Sequence, residues 1–273
     1  MTKDLSKLLH KGNNFELTSS FMDDVIEIMK KEEKNLGEFI TSINIDYNFP
    51  ISGCYSPYKR LIIINPNIIS ECAKGYCKEF FIKTLRHEIE HAKCLKKLYQ
   101  NSSDLETCLL KAANLDYIKE MNLGIELVPD ELSPERISFY SDKLYVQNHN
   151  LNPEERIVEV RALLYLLELV NNTNDIDAIT TVATNLFLTY QRGYEASNEG
   201  YMMESPTYKY LLNMKMFYEQ ELIKKKFEDL NYSLEEKLLY GLPISFYEYG
   251  IRIGELTKIR ERSRKSMLPH RFS

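Results

Sequence analysis

Nine consecutive residues, Thr84-Leu-Arg-His-Glu-Ile-Glu-His-Ala92, constrain this chain more than any other stretch. His87 and His91 stand four apart, and residues four apart on an α-helix share a face, one turn above the other. The apolar positions around them, Phe81, Leu85, Ile89, Ala92 and Tyr99, recur at helical spacing. That periodicity predicts a helix over Cys77–Tyr99 with one stripe turned towards a core. Two imidazoles on one face of such a helix can offer neutral nitrogens to one ion at about 2.0–2.1 Å. Glu88, beside them, is then within reach of a water on that ion. The pattern His-Glu-x-x-His is sparse: with 5 histidines and 29 glutamates among 273 residues, about 0.01 chance occurrences are expected. The alternative is a helix carrying two solvated histidines.

A catalytic zinc takes three protein ligands and keeps one position open. The region that best supplies the third ligand is Asn152-Pro-Glu-Glu-Arg-Ile-Val-Glu-Val-Arg-Ala162. Asn152 reads as an N-cap and Pro153 as the first turn of an apolar helix that runs to about Val170. Glu155 and Glu159 lie four apart on this helix and share a face. If Glu155 ligates the metal, Glu159 can accept a hydrogen bond from a ligand imidazole, the usual arrangement one shell further out. Either could exchange roles with the other. The competing reading makes Glu154, Glu155 and Glu159 ordinary N-terminal acids favoured by the helix dipole. His149 is the next position to consider as a ligand.

The surroundings of the motif read as a small mixed fold. Helical spacing places a helix over residues 18–40, with Thr18 and Ser19 as caps. Ile43–Tyr47 alternates as a short strand, and Gly53–Pro66 reads as two strands around a turn at Pro57–Lys59. The strand at Leu61–Ile64 is expected at a sheet edge, where an extended peptide can add as a further strand. Helices are expected over residues 104–121, 134–147, 153–170, 175–192, 206–229 and 233–240. Only 10 Gly and 9 Pro occur, with no Trp, which favours helices over a many-stranded barrel.

The stretch from the hairpin to Glu159 resembles the minimal gluzincin metallopeptidases, closest in style to the ImmA/IrrE-like zinc peptidases of bacteria and their mobile elements. Three features carry the likeness: an Ile-rich strand ending in Asn-Pro (Leu61–Pro66), a His-Glu-x-x-His-Ala helix (His87–Ala92), and a later helix opening on Asn-Pro (Asn152–Ala162). The likeness spans about a hundred residues. It departs from the pattern in its spacing, since the 63 residues between His91 and Glu155 exceed what compact members show. It implies that His87, His91 and Glu155 bind Zn2+, that Glu88 is the general base and acid, and that Glu159 supports a ligand. It also implies a zinc-dependent peptidase acting on protein or peptide substrates through a Glu-activated water. Alternatives are a zincin scaffold kept as an inactive regulatory module, and a zinc hydrolase of non-peptide amides.

The expected fold is therefore α+β and mostly helical: a zincin-like core with a small N-terminal sheet over residues 1–171, and a helical C-terminal region over 172–273. The net charge of −5 and a pI near 5.7 argue against a nucleic-acid partner, which needs a basic face. The basic end, from Lys258 to Arg271, reads as a solvated tail. No apolar run reaches the length of a membrane span, and the first ten residues lack a signal core, which together suggest the cytoplasm. Five cysteines without a Cys-x-x-Cys pair suggest reduced thiols and no thiolate metal site. Oligomeric state is left open by the sequence.

Overall fold

The computed structural model describes residues 2–9, 16–73, 75–100 and 153–173, together with 106–107, 110, 175 and 177–186. Over these residues the protein is α+β and mostly helical, with one three-stranded sheet. Helix α1 spans Thr2–Leu9 and buries Leu5 and Leu9. Helix α2 spans Ser19–Glu32, and the Thr18 side chain caps it by accepting from the Phe21 N–H at 3.2 Å. It is shorter than the 18–40 helix expected. The chain leaves helical geometry at Glu33, and Lys34–Leu36 tightens into a 3₁₀ turn that buries Leu36.

The sheet comprises β1 (Ser42–Ile45), β2 (Gly53–Ser56) and β3 (Leu61–Ile64) in the order β1-β3-β2. β2 and β3 form the expected antiparallel hairpin, while β1 runs parallel to β3. Leu61–Ile64 is thus the central strand and not the sheet edge expected from sequence. Its unbroken Leu-Ile-Ile-Ile run suits a strand covered on both faces, and Ile62, Ile63 and Ile64 are all buried. The edge next to the helical layer is β2. After β3, Asn65 accepts from the N–H groups of Asn67 and Ile68 and so starts α3 (Pro66–Cys72). Sequence reading took Pro66 only as a strand stop; its fixed φ also suits the first turn of a helix.

Helix α4 (Cys77–Gln100) carries the His-Glu-x-x-His segment and packs along α5 (Pro153–Asn171) more extensively than along any other described element. Phe81, Leu85, Ile89 and Ala92 are buried as the stripe predicts, but Tyr99 is 54% exposed and packs edge to face with the Phe39 ring. Glu90 flanks the histidines on α4 and is only 3% exposed. It binds Arg86 at 2.7 Å and Lys93 at 3.0 Å, and Glu33 takes a second Arg86 nitrogen at 2.7 Å. These charges fix how α4 is turned about its own axis. Ala178, Ile179, Val182 and Leu186, from helical residues 177–186, join the same core as α5.

Of the helix expected at 104–121, residues 106, 107 and 110 are described and helical. The helices expected at 134–147, 206–229 and 233–240, the Asn152 cap, His149 and the basic end lie outside the described residues, as does most of the 172–273 region. No helix among the described residues is long and apolar enough to cross a membrane.

Candidate metal centre

The i,i+4 spacing on α4 sets the His87 and His91 rings on one face, and α5 brings its first two turns against that face. His87 Nε2 and His91 Nε2 lie 3.3 Å apart. Glu155 Oε2 is 3.3 Å from the first and 3.4 Å from the second. Ligands at about 2.0–2.1 Å in a tetrahedron stand about 3.3–3.4 Å from one another. The three donor atoms therefore form one face of such a tetrahedron, and His87, His91 and Glu155 can hold a metal ion.

The far side of each ring supports the same conclusion. His87 Nδ1 lies 2.9 Å from Glu159 Oε2, and His91 Nδ1 lies 2.8 Å from Glu154 Oε1. An ionised carboxylate only accepts, so each Nδ1 donates, and unless a second proton or a metal ion binds there, each Nε2 carries a lone pair. Two nitrogen lone pairs and a carboxylate oxygen then converge within one contact distance. Such a group is repulsive unless a cation stands among them. The raised basicity of the rings expresses the same demand for positive charge. Burial opposes charge on His87, but Glu155 and Glu159 outweigh it and lift the ring to about 9. Burial likewise opposes charge on His91, while Glu155 and Glu154 raise it well above the usual histidine range. Two imidazoles with a single carboxylate suit a transition metal better than Ca2+ or Mg2+, which take oxygen ligands.

Glu159 is held from two directions. One oxygen accepts from His87, and the other meets Lys83 Nζ at 2.6 Å. Burial alone would raise its carboxyl, but the Lys83 charge and the His87 hydrogen bond bring it down to about 2. Glu159 is therefore an anion that keeps the His87 ring in one tautomer and one orientation. Glu88 points to the sheet side of α4 and is 6% exposed. Burial raises its carboxyl above the ordinary range, charge on His87 and His91 opposes that, and Glu155 adds to it. A Cβ built on Gly53 would stand 3.0 Å from Glu88 Oε1 and 2.8 Å from Thr84 Cγ2. Only a glycine lets β2 ride this close to the Glu88 carboxylate.

Of the residues singled out from sequence, His87, Glu88, His91, Glu155 and Glu159 lie near one another, while His149 lies outside the described residues. His87, His91 and Glu155 share the donor triangle, Glu159 lies behind His87, and Glu88 lies to one side. Sequence reasoning missed Glu154 as the partner of His91, treating it only as a helix-start acid. The signal was available in principle, because two ligating histidines need two acceptors and only Glu159 had been assigned. Lys83, one turn before His87, was also missed. Compared with protein-family models, with curated proteins and with solved structures, the chain matches none.

Proposed function

We propose that this protein is a zinc-dependent peptidase that hydrolyses peptide bonds in protein substrates, of the minimal gluzincin type its sequence resembles. The observation that carries the reading is the triangle of His87 Nε2, His91 Nε2 and Glu155 Oε2, with edges of 3.3, 3.3 and 3.4 Å, beside the buried Glu88. In this reading those three side chains hold the ion, and Glu154 and Glu159 keep the imidazoles aimed. When bound, zinc supplies Lewis acidity for a carbonyl and lowers the pKa of water towards 7. Glu88 accepts the proton of the attacking water on its carboxylate and then delivers it to the leaving amine. Positive charge around His87 and His91 favours the ionised Glu88 that the first transfer needs. Burial, which raises proton affinity, favours the second.

The substrate backbone is expected along β2. This strand pairs with β3 on one side only among the described residues, and its Gly53 end lies against Glu88. An extended peptide added there gains main-chain hydrogen bonds and passes the carboxylate that moves the proton.

The test is Glu88→Gln, which keeps shape and removes the base. Hydrolysis should fall by a factor of about 10²–10⁴, while helical content and zinc content stay at wild-type levels. A Gln variant that cleaves a substrate as fast as wild type removes Glu88 from the reaction.

A further inference from the structure

Next to the candidate metal centre, α4, α5 and helical residues 177–186 line a partly open cavity of about 160 Å³. Phe80, Leu163 and Val182 give it apolar walls, and Glu79, Lys83 and Glu159 give it polar ones. It shares Glu159 with the candidate metal centre, and Lys83, which meets a Glu159 oxygen at 2.6 Å, lines it too. Glu79 belongs to the first turn of α4, where an acid ordinarily faces solvent and favours the helix dipole. Here it is only 3% exposed, and its Oε2 has no hydrogen-bond partner among the described residues. A buried carboxylate oxygen left so is costly, because it has given up water without gaining a partner. Glu79 lines the cavity, so its carboxylate is the acceptor that a donor bound there would meet.

The charges around it define that donor. Lys83 is already neutralised by Glu159 at 2.6 Å. Asp175 adds negative potential at Glu79, and Lys78, whose ammonium lies over the Phe21 ring, adds positive. Three carboxylates, those of Glu79, Asp175 and Glu159, thus face two ammonium groups. Among the described residues, that is one carboxylate more than ammonium groups. A cavity of about 150 Å³ accommodates a benzene-sized molecule, so four or five heavy atoms with a charged end fit the space and the apolar walls together.

We propose that this cavity binds an alkylammonium group, with the Glu79 carboxylate as its anchor and Phe80, Leu163 and Val182 enclosing its chain. The group can belong to a lysine side chain of a bound peptide or to a free amine. Burial, partly opposed by a hydrogen bond from its own backbone N–H, pushes the Glu79 carboxyl up to about 7. The anchor is therefore mostly ionised at pH 8, where binding is best measured. The lysine source rests on the peptidase reading, whereas the cavity itself does not.

The experiment is calorimetric titration of the full chain at pH 8 with n-butylammonium chloride and, separately, with 1-butanol as its uncharged counterpart. Wild type should bind the ammonium about tenfold or more tightly than the alcohol. Glu79→Gln should abolish that preference at unchanged circular dichroism, and Ala178→Phe, which fills the space from the third helix, should abolish binding of both. Equal binding of the two probes, no binding of either, or a preference that survives in Glu79→Gln overturns the proposal. A lysine-bearing peptide that displaces butylammonium, where its norleucine counterpart does not, assigns the site to the substrate; failure of both to displace it assigns it to a free amine. Because the readout is binding, loss of the peptidase reading through Glu88→Gln would leave this result standing.

Discussion

Replacing Gly53 by Ala tests how tightly the edge strand is seated on the helix that carries His87 and His91. The new Cβ would meet Thr84 Cγ2 at 2.8 Å, Glu88 Oε1 at 3.0 Å and Ile64 Cδ1 at 3.1 Å. Carbon atoms in ordinary contact stand about 3.5–4.0 Å apart, so the methyl overlaps neighbours on three sides. Thr84 is 8% exposed, Glu88 6% and Ile64 0%, so none of them can retreat into solvent. Overpacking of this kind costs about 1–3 kcal/mol. Ala also removes backbone freedom from the unfolded chain, which returns about 0.4–1 kcal/mol. The net expectation is a destabilisation of about 1–2 kcal/mol, read as a lower urea midpoint at unchanged m-value. Thr84→Ser deletes the Cγ2 that makes the shortest contact. The double variant should therefore recover much of the stability, yet it should stay impaired in hydrolysis because the clash with Glu88 persists. A Gly53→Ala protein as stable as wild type would refute the argument that β2 needs a glycine to approach the Glu88 carboxylate.

Two further outcomes follow from the same geometry. Glu154→Ala and Glu159→Ala each remove the acceptor behind one histidine and should weaken zinc by about 10–100-fold in a competitive chelator titration, with Glu155→Ala weakening it further; equal losses in all three would dissolve the distinction between ligand and support. Glu79 has a folded-state pKa of about 7 against an ordinary value of 4.5. Its neutral form is favoured in the fold, so its contribution is complete below pH 4.5 and declines as pH rises to about 7, by roughly 3 kcal/mol in all. Glu79→Gln should therefore match wild type near pH 4.5 and exceed it at pH 8 in urea unfolding; a constant difference across that range would show that Glu79 does not titrate in the interior.

What was legible in the sequence is what depends on neighbours along the chain. The helical period of Phe81, Leu85, Ile89 and Ala92 fixes the face on which His87 and His91 stand, and Pro153 with its following acids marks the start of the second helix. The hairpin around residues 57–60 was legible from its turn residues and its β-branched run. What escaped depends on contacts between distant segments. Leu61–Ile64 reads the same whether central or at an edge, and only the parallel pairing with Ser42–Ile45 decides it. The role of Glu154 depends on the register in which α5 meets α4, which no local period encodes. The value of Gly53 lies in a side chain thirty-five positions away. Helix α1 has only eight residues, too few for a periodic signal, and it forms because Leu5 and Leu9 find a core supplied by other elements.

The most direct test of the central claim is zinc-edge X-ray absorption on the purified full chain, paired with metal analysis after dialysis. One zinc per chain is expected, in a shell of two imidazole nitrogens and carboxylate or water oxygen at about 2.0–2.1 Å, lost when His87 and His91 are both replaced by Ala. A wild-type protein that retains no zinc, a shell containing sulfur, or a double variant that keeps its metal would contradict that claim.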